Sequence, residues 1–347
     1  MFVVRPVELT DIDALEKLAA VTMPGVHTLP KTRDKIAASV ERSIASFAAH
    51  VDIPSEESYL FVLEQQKEDG TANEIVGTAA IFASAGSNGT YFSFRNDVIQ
   101  QVSRDLNISH SVHALTLCSE LTAYSQLSSF YVANRASAGL EAGLLSRARL
   151  LFAVLAPHRF GDRFFVPLAG ITDKNGQSPF WEALGRKFFK MDFLDAEKVI
   201  GGARNRTLIV ELMPHYPVYV PLLPGDAQAA MGQIHPDGDL AFKLLTEEGF
   251  EADEYIDIFD GGPILQAHKN SLRSFSGSIM RRAELLGEGA SSGVLVHYAI
   301  AASNEQKFRA ITVACPSADA GESISLPQGA LDALMIEAGD NVICVRI

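Results

Sequence analysis

Two strand-like runs, SYLFVLEQ at 58 to 65 and EIVGTAAIFAS at 74 to 84, stand on either side of a short polar turn containing Asp69-Gly70. β-Branched and aromatic residues flanking an Asp-Gly turn are the pattern of an antiparallel hairpin, so the sheet of this chain is at least partly antiparallel. The segments around the hairpin alternate with helices. FVVR at 2 to 5 reads as a first strand, and Thr10 with Asp13 resembles a capping box opening a helix through Leu15, Leu18 and Ala19. A second helix is expected from Thr32, with Ile36, Val40, Ile44 and Phe47 on one face.

After YFSFR (91 to 95), a segment carrying Leu106, Ile108, Val112, Leu115 and Leu117 leads to the strand QLSSFYV at 126 to 132. A loop at 134 to 143, a helix at 144 to 156 and a strand at 163 to 172 follow. Ser178 as N-cap and Pro179 at the first helical position predict a helix over 178 to 189. TLIVELM at 207 to 213 is the last strand of this series. The order is mixed α/β (α+β), and it resembles the GNAT-type acyl-CoA N-acyltransferase fold.

Beyond 264 the texture changes to short strands at 293 to 302, 307 to 314, 322 to 326 and 341 to 347, with Pro327 starting a brief helix. These are expected to form a small C-terminal β-barrel domain over 264 to 347, after a GNAT-like domain over 1 to 263. A length of 347 residues fits two domains, because single cores stop growing near this size. A formal charge of −13 disfavours nucleic acid and anionic membrane as partners, since both are bound through Lys and Arg. No apolar run approaches the ~20 residues that span a bilayer. The amino terminus lacks the pattern of a signal peptide. Cys118, Cys315 and Cys344 are widely spaced and never in a C-x-x-C pair, which argues against a disulfide framework or a metal cluster and fits a reducing cytoplasm.

Residues 213 to 263 are the window densest in groups that move a proton or hold a charge, with His215, His235, Asp253, Asp257 and Asp260, the aromatics Tyr216, Tyr219, Tyr255 and Phe259, and a Gly261-Gly262-Pro263 turn. Four blocks, SPFWEALGRKFFKMDF (178 to 193), ELMPHYPVYVPLLP (211 to 224), MGQIHP (231 to 236) and YIDIFDGGP (255 to 263), together resemble the arginine N-succinyltransferase family. FSFR at 92 to 95 and RPVELTDIDAL at 5 to 15 agree with it. SSFYV at 128 to 132 and PHYPVYVPLLP look most like the α-subunit branch of the two-subunit arginine/ornithine enzymes. The resemblance implies transfer of a succinyl group from succinyl-CoA to the α-amine of arginine, and a paralogous β subunit as partner.

The resemblance also assigns residues. His235 stands where the family motif places its proton donor, and imidazole is the side chain that ordinarily titrates near neutrality. His215, between two prolines, reads as packed in place. If CoA binds, Phe130, Tyr131 and Val132 pair with its pantetheine arm, and the helix N-terminus around Gly139, Ala142 and Gly143 meets its pyrophosphate. Single-subunit relatives resemble a G-x-G pattern in that loop, whereas this chain has Leu140 and Ala142 at those places. Asp257 and Asp260 are candidates for the guanidinium of arginine. Arg95 is a candidate for the succinyl carboxylate, with Arg135 and Arg147 near the loop as phosphate partners. The altered loop keeps a second reading open, that of a non-catalytic α subunit supporting a catalytic β subunit.

Overall fold

The computed structural model describes the chain except residues 22 to 28, 31, 68 to 72, 88, 201 to 210, 288 to 293 and 320. Its strands are β1 (Phe2–Pro6), β2 (Ser58–Gln65), β3 (Glu74–Phe82), β4 (Ser93–Ser103), β5 (Ile108–Cys118), β6 (Ser125–Val132), β7 (Arg163–Pro167) and β8 (Val218–Tyr219). Then come β9 (Glu251–Ile256), β10 (Pro263–His268), β11 (Ile279–Leu285), β12 (Leu295–Ala302), β13 (Ala310–Pro316), β14 (Ser323–Leu326) and β15 (Asn341–Arg346). Among the described residues they form one sheet in the order β14-β11-β15-β12-β13-β1-β2-β3-β6-β7-β10-β9-β4-β5-β8.

That order corrects the expectation of a C-terminal barrel. The late strands form a large open sheet with the early ones, because β13 pairs with β1 through Val3↔Ile311 and Val4↔Ala310. Short strands bounded by turns identify themselves in a sequence, but which edge they join is a long-range choice. Pro263 itself begins β10, which pairs with both β7 and β9, so the sheet runs through this position.

The β2–β3 hairpin forms as expected, although its Asp69-Gly70 turn lies outside the described residues. β2 is buried on both faces, and its side chains alternate between two cores. Tyr59, Phe61 and Leu63 pack with Leu144, Leu145, Ala148 and Phe152 of the helix Leu140–Leu155. Leu60 and Val62 face Leu15, Ile36 and Val40 of the helices Ile12–Val21 and Arg33–Ala48. The first of these helices opens one turn early, through reciprocal bonds between Glu8 and Asp11. On the second, Ile44 faces outward while Ser43 and Ser46 are buried and accept main-chain N–H groups of Leu60 and Ser58.

Around Phe152 the rings of Phe47, Tyr59 and Phe61 lie at centroid distances of 5.1, 5.0 and 5.6 Å. Truncating such a ring costs about 3–5 kcal/mol. This core fixes the helix that follows β6. A separate cluster, with Trp181 stacked on Phe259 at 5.6 Å, fixes the helix Pro179–Ala183 against the turn after β9. Ser178 caps that helix by accepting from the Trp181 N–H, and the expected single helix breaks at Leu184 into two short ones. β4 and β5 make a long hairpin, paired from Ser93↔Cys118 to Ser103↔Ile108, of which sequence reading identified the first residues. The strand expected over 207 to 213 lies mostly outside the described residues, and Glu211 and Leu212 at its end are helical.

Candidate active site

β6 and β7 run parallel and are bonded through Ser125↔Phe164 and Gln126↔Phe165. Beyond that point they part, β6 continuing beside β3 to Val132 and β7 beside β10 to Pro167. A strand in the middle of a wide sheet is ordinarily buried, yet Ser128, Ser129, Phe130 and Tyr131 are all partly exposed. The opening between the parted strands therefore admits solvent to the centre of the sheet. The register shift between Thr78↔Tyr131 and Ala80↔Ser128 places two residues of β6 against one of β3, a β-bulge. Ser129 within it has φ of 54°, and its carbonyl accepts from the Thr78 hydroxyl at 2.9 Å. A side chain at such φ is strained unless its surroundings hold it.

The loop after β6 leads to the helix Leu140–Leu155, which starts four residues before the expected position with Gly139 as N-cap. Leu140 points outward at 47% exposure, whereas the Ala142 methyl is packed in the core. The substituted glycine places thus occupy the first turn of a helix rather than a free loop. Glu141 folds back so that its carboxylate accepts the Gly139 N–H at 2.8 Å. An acid at this end is stabilised by the helix dipole, and it lies where a phosphate would approach. A Cβ at Gly143 would meet Leu244 and Arg147 only at ordinary contact distances.

His235 N-caps a short turn, Pro236–Gly238, which precedes the helix Asp239–Glu248. Its ring Nδ1 accepts the Asp237 N–H at 3.1 Å, so in the neutral ring the proton sits on Nε2. The side chain is 14% exposed and therefore reachable. The His235 main-chain N–H donates to Ala169 O at 2.8 Å, just past the end of β7. From the other side Arg135, in the loop after β6, donates to both the carbonyl and the carboxylate of Asp237, at 2.8 and 2.5 Å. The imidazole is thus tied to the loops that follow both parted strands.

Asp257 and Asp260 lie beneath this turn and are buried. Asp260 accepts from Gly170 and Gly262 N–H groups at 2.7 and 2.8 Å, and Asp257 from Phe259 N–H at 2.7 Å. Close approach is essential there, since a Cβ on Gly170 would sit 2.6 Å from Asp260 O and one on Gly262 2.2 Å from Leu168 O. The carboxylates hold the turn and, through Gly170, the segment that binds His235. Arg95 stands on β4 opposite Tyr255 and pairs with Asp97 at 2.8 Å and Glu120 at 2.5 Å. These carboxylates hold its pKa above the usual guanidinium range. The Tyr255 hydroxyl also bonds Glu120, and burial together with that contact raises its pKa. Arg147 pairs with buried Glu248 at 3.1 Å, joining the helix Leu140–Leu155 to the helix Asp239–Glu248. His215 lies three residues before β8, the last strand of the sheet order and away from β6 and β7 in its middle.

The structure therefore gathers Phe130, Tyr131, Val132, Gly139, Arg135 and His235 at one end of the β6–β7 opening, while Arg95 belongs to a neighbouring strand group. Sequence reading missed Asp237, which orients the imidazole, and Arg149, which lies fully buried behind β6. The contact with Nδ1 is made by the main-chain N–H of residue 237, which has no signature in the sequence, while its carboxylate takes Arg135.

Comparison with known proteins agrees across the whole length. A family profile described as "Arginine N-succinyltransferase beta subunit" matches residues 2–274. The chain is 42% identical to "Arginine N-succinyltransferase subunit alpha" of Pseudomonas aeruginosa, over 100% of both chains. It is 34% identical to "Arginine N-succinyltransferase" of Escherichia coli, over 100% of this chain and 98% of that one. The solved arginine/ornithine succinyltransferase subunit AI from Pseudomonas aeruginosa superposes with a TM-score of 0.88 at 40% identity, covering 100% of this chain and 98% of that one. With a profile match over most of its length and full-length relatives above 30% identity, the chain belongs to the arginine N-succinyltransferase family.

Proposed function

We propose that the chain transfers a succinyl group from succinyl-CoA to the α-amine of arginine, with ornithine as a further acceptor, in arginine catabolism in the cytoplasm. The observation that carries this reading is the attachment of the His235 turn to both loops beyond the parted strands, through Ala169 O and through Arg135–Asp237. A GNAT-like site uses the same elements. The edge of β6 from Ser128 to Val132, which β7 leaves after Gln126, takes the pantetheine arm, and the N-terminal amides of the helix Leu140–Leu155, with Gly139, Ala142 and Gly143, face the pyrophosphate.

In this reading the acceptor amine attacks the thioester carbonyl as the free base, forming a C–N bond and a tetrahedral intermediate. Collapse breaks the C–S bond. Nε2 of His235 gives its proton to the departing sulfur and takes one from the nitrogen, so that one proton moves from amine to thiol and the ring ends unchanged. The Asp237 N–H on Nδ1 keeps Nε2 aimed at this exchange. Asp257 and Asp260 contribute by holding the turn, and they remain the candidates for the acceptor guanidinium. Arg95 anchors the neighbouring strands beside that turn. A paralogous subunit is the proposed partner, in keeping with the relative named as a subunit.

The test is arginine-dependent thiol release from succinyl-CoA, with His235→Ala as control; unchanged turnover in the variant removes His235 from the reaction. Glu141 at the helix N-terminus favours a second reading, a scaffold for a catalytic partner, because its carboxylate opposes a pyrophosphate. Calorimetry with succinyl-CoA separates the two: saturable binding to this chain alone rules out a scaffold-only role.

A further inference from the structure

Among the described residues four arginines are buried: Arg5, Arg147, Arg149 and Arg159. Three of them meet carboxylates, Arg5 with Asp11 and Glu64, Arg147 with Glu248, and Arg159 with Glu305. Arg149, the most buried at 1% exposure, meets none. Its Nε donates to Ser146 O at 3.2 Å, Nη2 to Ser146 Oγ at 3.1 Å and Nη1 to Ser128 O at 3.4 Å. Its Cζ lies 5.6 Å from the centre of the Phe130 ring. Removing a cation from water without a counter-charge is costly, so an anion that reached this guanidinium would relieve that cost. Burial alone pushes this guanidinium down to about 9.

We propose that Arg149 receives the distal carboxylate of the succinyl group and so makes the site selective for a dicarboxylic acyl donor. The assignment rests on reading the β6–β7 opening as the acyl-CoA site. Ser146, on the same helix, holds the guanidinium from behind, and its other two partners, Ser128 and Phe130, belong to the partly exposed stretch of β6, on either side of Ser129. An acyl chain lying against that bulge ends next to the cation. Guanidinium has five N–H groups, of which three are used among the described residues, leaving one on each terminal nitrogen. Two N–H groups on adjacent nitrogens suit the two oxygens of a carboxylate. An acetyl group has nothing to offer them, and a butyryl group places a methyl against a buried charge.

The experiment compares succinyl-CoA with butyryl-CoA, in which a methyl replaces the carboxylate, by calorimetry and by arginine-dependent thiol release, for the full chain and for Arg149→Met. The unmodified chain is expected to prefer succinyl-CoA by about 100-fold or more, the scale set by leaving a buried charge unpaired. In Arg149→Met the preference falls to about tenfold or less, with butyryl-CoA bound as well as before or better. A merely structural arginine would weaken both donors together and leave their ratio unchanged, and that result overturns the assignment. If Arg149→Met does not fold, Arg149→Lys reads the same ratio. An ammonium keeps charge and loses the fork, so a fall of about tenfold is expected, and an unchanged ratio again overturns the proposal. Equal binding of both donors by the unmodified chain defeats this assignment and leaves the cleft intact. Binding of neither defeats the reading of the cleft and this inference with it.

Discussion

Arg135 and Asp237, 102 residues apart, are joined by two hydrogen bonds, one to the Asp237 carboxylate and one to its carbonyl. The peptide N–H of the same aspartate holds Nδ1 of His235. A loop expected to bind phosphate is thus mechanically coupled to the imidazole.

Arg135→Ala releases that coupling without touching the ring. The expected result is a fall in kcat of about 10- to 100-fold, the scale of losing orientation, with a smaller change in KM. Steady-state kinetics with arginine varied at saturating succinyl-CoA checks it. An equal loss in Arg135→Lys would show that the two-pronged contact, rather than charge alone, is what matters.

Glu141→Gln removes a negative charge from the N-terminus of the helix Leu140–Leu155 while keeping an oxygen for the Gly139 N–H. Succinyl-CoA is expected to bind about 2- to 10-fold tighter, in keeping with helix-end charge effects of 0.3–1 kcal/mol and the added repulsion of phosphate. Calorimetry at low and high salt measures it, and the gain shrinks as salt screens the charge.

Asp260→Ala strips an acceptor from two buried main-chain N–H groups, those of Gly170 and Gly262. A loss of about 3 kcal/mol follows from leaving both unsatisfied, seen as a lowered denaturation midpoint. Activity falls with it, because Gly170 adjoins the carbonyl that binds His235.

The cysteines give a pH prediction. Burial pushes Cys315 up to about 11 and Cys344 up to about 12. Both thiols thus stay protonated in the fold where an unfolded thiol, near 8.5, already ionises. The sign follows: stability from these groups is complete below about 8.5 and declines as pH rises toward 11. Thermal midpoints between pH 8 and 10 should fall, less so with both cysteines replaced by alanine. Cys315 and Cys344 should react slowly with a disulfide reagent at pH 8 in the native protein, so that fast-reacting thiol is expected from the half-buried Cys118.

The strands of this fold were legible where apolar runs met turn residues, as in β2, β3, β6 and β12, because period and punctuation are local. Their partners were not. β1 has a second edge, and nothing local in FVVR says that Ala310 and Ile311 will occupy it. The start of the helix after β6 was misplaced because Gly139 and Gly143 read as loop, whereas core packing of Ala142 and Leu144 carries helix through them. His235 was a candidate from its motif, and the fold leaves its ring reachable beside the loops that follow β6 and β7. Arg149 was not, since an arginine on a helix ordinarily faces water and only the folded chain shows it buried without an acid.

The central claim is that His235 moves the proton between nitrogen and sulfur at the mouth of the β6–β7 opening. It is tested most directly by arginine-dependent thiol release from succinyl-CoA, with donor affinity measured in parallel, for the unmodified chain and His235→Ala. The account predicts a loss of turnover of about 100-fold or more at unchanged succinyl-CoA affinity. Turnover that survives the substitution within twofold would contradict it.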